Sequence, residues 1–339
     1  MIESYLANRS QRVQLDTSFS NSKTASTWTK VKHGVPQGSV LGPLLFILCI
    51  NDLPNTIIHN ATPILFADDT SIIITGQTAH KFQGDLNSTF GQISDWFKQN
   101  SLSLNISKTY FIQFSNKSLN YSDINITYEN NYITKANDLK FLGLNINNTL
   151  SWKTHIDKIL PKLSSACFAM RSVKPFVSQQ MLKVIYYSHF HSIISYGLIF
   201  WGHSAPSSRV FRMQKRIRIM MGSKSRDSCR KLFTSLKILP FPSLYIFFLL
   251  RFVIKNRELF TTNNETHKYG TRQLHNLHYP PANLKKHQTV VFYRGVKIYN
   301  SLPIYIKKES NDINKFESLL KKFLLENSFY SMDEFYNFA

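Results

Sequence analysis

Pro63-Ile-Leu-Phe-Ala-Asp-Asp-Thr-Ser-Ile-Ile-Ile-Thr75 places two adjacent carboxylates, Asp68 and Asp69, inside an otherwise apolar run. Apolar residues flank the pair on both sides, which predicts a β-hairpin turning at the two aspartates. Burying a carboxylate without a partner costs several kcal/mol, and two like charges raise each other's pKa. A divalent cation relieves both costs, and carboxylates completed by water and substrate phosphates are the usual setting for Mg²⁺. The same dipeptide is also ordinary turn chemistry. Taken alone, the pair fits either reading.

Upstream, His33-Gly34-Val35-Pro36-Gln37-Gly38-Ser39-Val40-Leu41-Gly42-Pro43 brings three glycines into nine residues and then opens a helix over 39–50. Gly34 and Gly38 permit positive φ and close approach to a ligand, and the N–H groups at a helix start favour an anion. A plain glycine-rich turn into a core helix fits as well. Ser39 suits an N-cap, Pro43 falls in the first turn, and Leu41, Leu44, Leu45, Leu48 and Cys49 form a stripe. Val13 and Leu15 alternate as in a strand over 11–18. Downstream, Phe82, Leu86, Phe90, Ile93 and Phe97 keep helical spacing and Asn100 closes the helix. Residues 139–146 read as a strand or tight hairpin. From Trp152, Ile156, Ile159, Leu163, Cys167 and Met170 predict a helix, with a kink at Pro161. Residues 179–201, 208–221 and 313–325 are further helix candidates. Residues 51–148 hold 15 Asn and residues 149–255 none. Asn favours turns and caps, so a turn-rich mixed region gives way to a helical one.

The chain has 339 residues, 43% of them hydrophobic, with 12 Gly and 12 Pro. That excludes wholesale disorder and collagen-like or low-complexity structure. Cys49, Cys167 and Cys229 are too few and too scattered for a disulfide framework or a zinc motif, which predicts an intracellular protein, in nucleus or cytoplasm. The apolar run Leu244 to Ile254, entered after Pro240 and Pro242, is too short to span a membrane and reads as a buried helix. His189 with His191, and His275 with His278, have ligand-like spacing but lack Cys or carboxylate partners, so they read as ordinary histidines. The net charge of +21 is unevenly spread: residues 1–150 carry 11 Lys/Arg and 10 Asp/Glu, residues 151–339 carry 30 and 10. A half-chain at +20 points to nucleic acid as the partner more than to a merely solubilising surface, with an anionic membrane surface as the other reading. Residues 209–231 hold nine Lys/Arg and one acid, Asp227. There Val210, Met213, Ile217 and Met220 share one helical face, leaving Arg209, Arg212, Lys215, Arg216 and Arg218 over the rest to contact phosphates or solvent. Tyr196, Phe200 and Trp201 have a spacing more typical of core than of base stacking.

Taken together, Gly34-Val-Pro-Gln-Gly-Ser-Val-Leu-Gly-Pro-Leu-Leu-Phe46, Ile50-Asn-Asp-Leu-Pro54 and Leu65-Phe-Ala-Asp-Asp-Thr70 resemble the reverse transcriptases of non-LTR (LINE) retrotransposons, especially the jockey-like group. The series continues in order: Trp96-Phe97, Leu104-Asn105 with Lys108-Thr109, Lys140-Phe-Leu-Gly143, Ser151-Trp-Lys-Thr-His-Ile156, Tyr196-Gly-Leu-Ile-Phe-Trp-Gly202 and Tyr299-Asn-Ser-Leu-Pro303. The resemblance implies an α+β fold: the distal part of a polymerase palm at 1–147, a mostly helical thumb at 148–235 and a basic C-terminal region at 236–339. It implies RNA-directed DNA synthesis by two-metal nucleotidyl transfer, with Mg²⁺ as cofactor and RNA template, DNA primer and dNTP as partners. Asp68 would bind metal, with Asp69 assisting or shaping the turn. Gly34, Pro36, Gln37 and Gly38 would contact template and nucleotide. Lys108, otherwise a solvent-facing lysine at a strand start, would lie near the triphosphate as a general acid. Leu142 and Gly143 would form the primer grip.

The family's metal site takes another aspartate from a strand well upstream of the glycine loop. The 33 residues before Gly34 offer only Glu3 and Asp16, neither in an apolar strand, and Ser4-Tyr-Leu-Ala-Asn-Arg-Ser-Gln-Arg-Val13 resembles the segment just after the missing motif. The expectation is therefore an N-terminally truncated polymerase, inactive alone; a non-catalytic nucleic-acid-binding remnant is the alternative.

Overall fold

The computed structural model describes residues 2–16, 23–32, 34–57, 61–76, 78–114, 124–128, 131–217, 228–266, 276–284 and 286–338. It is a mixture of helices and strands, and the chain divides into two compact units near residue 135.

In the first unit, α1 (Leu41–Ile50) leads into a helical turn at Leu53–Thr56 and then a hairpin, β1 (Ala61–Phe66) with β2 (Asp69–Ile74), followed by α2 (Ala79–Gln99). Every sheet among the described residues has two strands. Gln14–Asp16 does pair with Lys23–Ala25, but Val13 and Leu15 beside and within that ribbon are exposed. The helix α2 forms where the periodicity placed it. Thr78 caps it by accepting the Lys81 N–H at 3.4 Å, and Asn100 closes it through the Trp96 carbonyl. Its apolar face serves two small cores. One gathers Leu86, Ile124, Ile126, Tyr128 and Ile133; the other gathers Ile50, Leu53 and Trp96, with Phe46, Leu65, Phe97 and Leu102 against it.

The stripe on α1 departs from expectation. Leu44, Leu48 and Cys49 are exposed, as are Val40 and Ile47, while burial falls on Gly42 and Ile50. Residues 40–50 contain no polar side chain, so no polar face orients the helix. Only its side bearing Phe46 and Ile50 meets the core.

The second unit opens with a tight hairpin, β3 (Asp138–Phe141) and β4 (Leu144–Asn147), followed by α3 (Lys153–Val173). Ile156, Ile159, Leu163, Cys167 and Met170 are buried as their spacing predicts, and the helix runs through Pro161. The helical run from Gln179 widens to a π turn at Tyr186–His191 and breaks at Tyr196–Gly197, where Tyr196 is extended and Gly197 has φ +59°. There follow α4 (Ser208–Gln214), α5 (Cys229–Leu236), α6 (Phe241–Lys255), α7 (Val291–Asn300), α8 (Ile313–Asn327) and α9 (Met332–Phe338). Apolar on most sides, α6 is the axis of one core to which residues of both 148–235 and 236–339 contribute. Among the described residues, no single helix is long and apolar enough to cross a membrane.

A buried amide holds this core in register. Gln214, 1% exposed, donates to Tyr186 Oη at 3.0 Å and to the Leu239 carbonyl at 2.9 Å, and accepts the Phe241 N–H at 2.7 Å. Removing it strands three buried polar groups, each worth about 1–3 kcal/mol. Gln214→Leu should therefore destabilise the protein by about 3 kcal/mol or more, a Tm drop of roughly 6–12 °C, read by circular dichroism. A drop of less than about 2 °C would show that the three groups find other partners.

Burial also sets a pH response. Desolvation pushes the His203 imidazole from its ordinary 6.5 down to about 4, with Arg294 acting in the same direction. His155 and His191 are lowered too, first by burial and then by neighbouring lysines. Below its ordinary pKa the unfolded chain takes up a proton that the folded chain refuses, so stability is lost as pH falls from 6.5 toward 4. Melting curves across that range should show the decline, and His203→Gln should make it shallower. Parallel declines in both proteins would remove His203 from the response.

Candidate functional site

The β1–β2 hairpin pairs Ala61 with Ile74 and continues in register to Phe66 with Asp69. The turn is therefore Ala67–Asp68, one residue earlier than the aspartate pair, and Asp69 is the first residue of β2. Ala67 has φ +52°, the left-handed form that a two-residue hairpin requires and that costs a residue with a Cβ about 1–2 kcal/mol. Leu65 and Ile74 anchor the ribbon, one in each of the unit's cores. Both carboxylates stand exposed at its tip. This corrects the burial expected from the apolar flanks: a two-stranded ribbon leaves its tip in water, so no desolvation cost demands a counter-ion. Among the described residues, no group of three or more His, Cys, Asp or Glu side chains is placed to hold a metal ion. As oxygen donors, Asp68 and Asp69 suit an ion that substrate phosphates and water help to coordinate, not one caged by protein alone.

The glycine loop is braced from the N-terminal segment. Gly34 and Gly38 have φ near +80°, at +80° and +81°, and Pro36 and Gln37 between them are exposed. Arg9 Nη2 donates to the Gly34 carbonyl and Tyr5 Oη donates to Ser39 Oγ. Ser39 Oγ in turn accepts the Gly42 N–H at 3.1 Å, although the helix starts at Leu41 and Val40, not Ser39, stands at its N-cap. Through Phe46 and Ile50, α1 joins the small core that also receives Leu65 of the aspartate hairpin. Asp52 and Trp96 close that core, with Trp96 Nε1 donating to Asp52 Oδ1 at 3.2 Å. The motifs at 34–46, 50–54, 65–70 and 96–97 thus meet in one cluster.

Lys108 is exposed at the end of the helical turn Ile106–Lys108, which precedes the strand Tyr110–Phe111. Asn105 frames that turn: its Oδ1 accepts the Ser107 hydroxyl at 2.7 Å and its carbonyl accepts Thr109 Oγ1 at 2.8 Å.

In the second unit, the β3–β4 turn is Leu142–Gly143, with both residues left-handed at φ +43° and +83°. Three of the sequence motifs meet there. His155 Nδ1 accepts the Asn145 N–H at 3.3 Å, and its ring lies 5.5 Å from that of buried Trp201. Trp201 Nε1 donates to the Tyr196 carbonyl at 3.0 Å. Tyr196 Oη donates to the Leu142 carbonyl. At Gly197, a Cβ would sit 2.8 Å from Leu144 Cδ2. Trp201 is core, as its spacing suggested, whereas Tyr196 and Phe200 are partly exposed.

The basic helix sorts its charges. Arg212 and Arg216 are exposed. The Lys215 ammonium sits 4.6 Å from the Phe211 ring centroid and 5.0 Å from that of Tyr330, a packing role that sequence spacing does not reveal. Arg209 pairs with Asp157. Arg218 lies outside the described residues, as does His275.

Tyr5, Arg9, Asp52 and His155 lie in segments that the sequence motifs mark, but the motifs do not single them out as site residues or as braces. Their partners lie 34, 25, 44 and 10 residues away, and no local pattern signals such contacts.

Residues 1–146 match the family described as reverse transcriptase (RNA-dependent DNA polymerase). The chain is 26% identical over 227 residues to a probable RNA-directed DNA polymerase from transposon BS of Drosophila melanogaster, an alignment covering 64% of this chain and 24% of that protein. It is 25% identical over 225 residues to the probable enzyme from transposon X-element of the same fly, again covering 64% and 24%. With the RNA-directed DNA polymerase from mobile element jockey, identity is 24% over 165 residues, 47% of this chain and 17% of that one. The chain thus spans about a quarter of the length of the first two relatives. No solved structure matches it. Residues 1–146 thus carry the match to the reverse transcriptase family, and the chain is similar over up to 64% of its length to RNA-directed DNA polymerases of jockey-like non-LTR elements.

Proposed function

We propose that this chain works as part of an intracellular RNA-directed DNA polymerase, using an RNA template, a DNA primer and dNTPs. What carries the reading is the convergence of four family motifs on the Ile50–Leu53–Trp96 core, which ties the glycine loop and the exposed Asp68 turn to one frame. In this scheme Asp68 supplies a carboxylate to Mg²⁺ and Asp69 assists it or fixes the turn. When bound, the cation supplies charge neutralisation at the transferring phosphate. Gly34, Pro36, Gln37 and Gly38 line the template and nucleotide. Lys108 gives a proton or a positive charge to departing pyrophosphate. Leu142 and Gly143 hold the primer end, and Arg212, Arg216 and Arg218 contact phosphates, with Lys215 packed on Phe211 and Tyr330 between the first two.

Because the described residues gather no third ligand around Asp68, the turn needs a carboxylate from another segment to hold two ions. A polypeptide of these 339 residues should show no primer extension with Mg²⁺ or Mn²⁺ on a primed RNA template. Extension that Asp68→Ala abolishes would overturn this. The same observation favours a second reading, a nucleic-acid-binding protein without catalysis, which predicts binding but no extension even when a family front half is supplied.

Binding separates the charges. Removing one cation from a phosphate should flatten the salt dependence of affinity by about one unit. Arg212→Gln with Arg216→Gln should lower the slope by roughly two, and Asp68→Ala should leave it unchanged. Lys215→Gln should lower Tm more than it lowers the slope, because its charge lies against Phe211 and Tyr330. Fluorescence anisotropy at several salt concentrations reads the slopes, and thermal melting reads Tm. A slope unchanged in the double arginine variant would leave that helix as a solvated face.

A further inference from the structure

The Leu142–Gly143 turn is an unusual place for leucine. Left-handed backbone is easy for Gly143 at φ +83° but unfavourable for Leu142 at φ +43°. The common two-residue turn of this kind carries Asn or Asp with Gly. Something must hold Leu142 in place, and Tyr196 is positioned to do so. Its hydroxyl donates to the Leu142 carbonyl, 54 residues away in sequence. Its ring lies along the turn: a Cβ at Gly143 would stand 3.0 Å from Tyr196 Cε1 and 3.1 Å from its Oη. The next residue completes the contact, because Gly197 leaves room for Leu144. Tyr196 is held from behind, where Trp201 Nε1 bonds its carbonyl and the Trp201 side chain is fully buried. Tyr196 itself is 54% exposed, so burial is not what keeps it there.

We propose that Tyr196 is a positioning residue whose hydroxyl and ring lock the Leu142–Gly143 turn into one left-handed form, so that the turn meets a primer terminus in a fixed shape. This rests on the reading of that turn as a primer contact. The helical run from Gln179 ends at Tyr196, and the left-handed Gly197 turns the chain that follows, leaving Leu144 in the space beside it.

Two measurements on the full chain test this. The first is amide hydrogen exchange by mass spectrometry. Tyr196→Phe keeps the ring and removes the hydroxyl, and should raise exchange in the peptide covering 139–147 about five-fold, the net worth of one hydrogen bond, while leaving 153–173 unchanged. Leu142→Gly relieves the backbone demand, so Tyr196→Phe should have a smaller effect in that background. Unchanged exchange at 139–147 in Tyr196→Phe overturns the lock. The second is the ratio of affinities for a recessed primer–template junction and a blunt duplex at fixed salt. The parent should prefer the junction, and Tyr196→Phe should bring the ratio toward one without altering the salt slope or lowering Tm by more than a few degrees. A loosened turn with the junction preference intact overturns the positioning role. A parent without junction preference removes the primer reading itself, and the role of Tyr196 with it, while the exchange result still decides whether the lock exists.

Discussion

A two-residue turn between antiparallel strands demands left-handed backbone, and both hairpins that carry candidate contacts are built on such turns. Ala67 and Leu142 accept that conformation despite bearing a Cβ, so each turn draws support from elsewhere. At Asp68 the support is indirect. Leu65 and Ile74 fix the two strands in separate cores, and the tip is left to project. At Leu142 it is direct, from the Tyr196 hydroxyl and ring. The surrounding architecture follows from this. The Asp52–Trp96 hydrogen bond closes the core under the first turn, and the His155–Asn145 and Trp201–Tyr196 bonds brace the second.

Charge in the basic unit is less available than the composition suggests. Arg209 pairs with Asp157, Arg230 with Glu334 and Arg251 with Glu317, while Lys215 lies against two aromatic rings. These ion pairs are partly exposed and contribute little individually to stability. Their effect is to fix where cations are not free. Arg212 and Arg216 remain exposed on the same segment, which is why they, and not Arg209 or Lys215, are the side chains there to test for phosphate contact.

Local periodicity made much of this fold legible. The helices Ala79–Gln99 and Lys153–Val173 and the hairpin at 61–74 were readable, and 138–147 was readable as a strand or tight hairpin, because each depends on spacing within a short window. The apolar helix α1 was readable as a helix but not in its orientation, because a helix with no polar side chain has no face that water selects. Exposure of the aspartates was missed for a related reason. Apolar flanks suggested burial on both sides, but a ribbon of two strands buries only what its neighbours cover. The braces were invisible because Tyr5, Arg9, Asp52 and Tyr196 find their partners across 25 to 54 residues.

The motif residues divide by what they touch. Trp96, His155 and Trp201 are buried and hold backbone or side chains in place, and Asn300 does similar work by bonding both the N–H and the carbonyl of Leu277 at 2.9 Å. Asp68, Gln37 and Lys108 are exposed. Packing free energy resides in the first group, since burial and satisfied polar groups supply stability. An exposed Asp68 contributes almost nothing to that sum, so a chain can lose the carboxylate and keep the frame. The reverse does not hold, because a turn without its braces has no fixed position in which to present a carboxylate or a primer contact. In this chain the frame is a physical precondition for presenting the candidate contacts, and the two can be lost by separate substitutions.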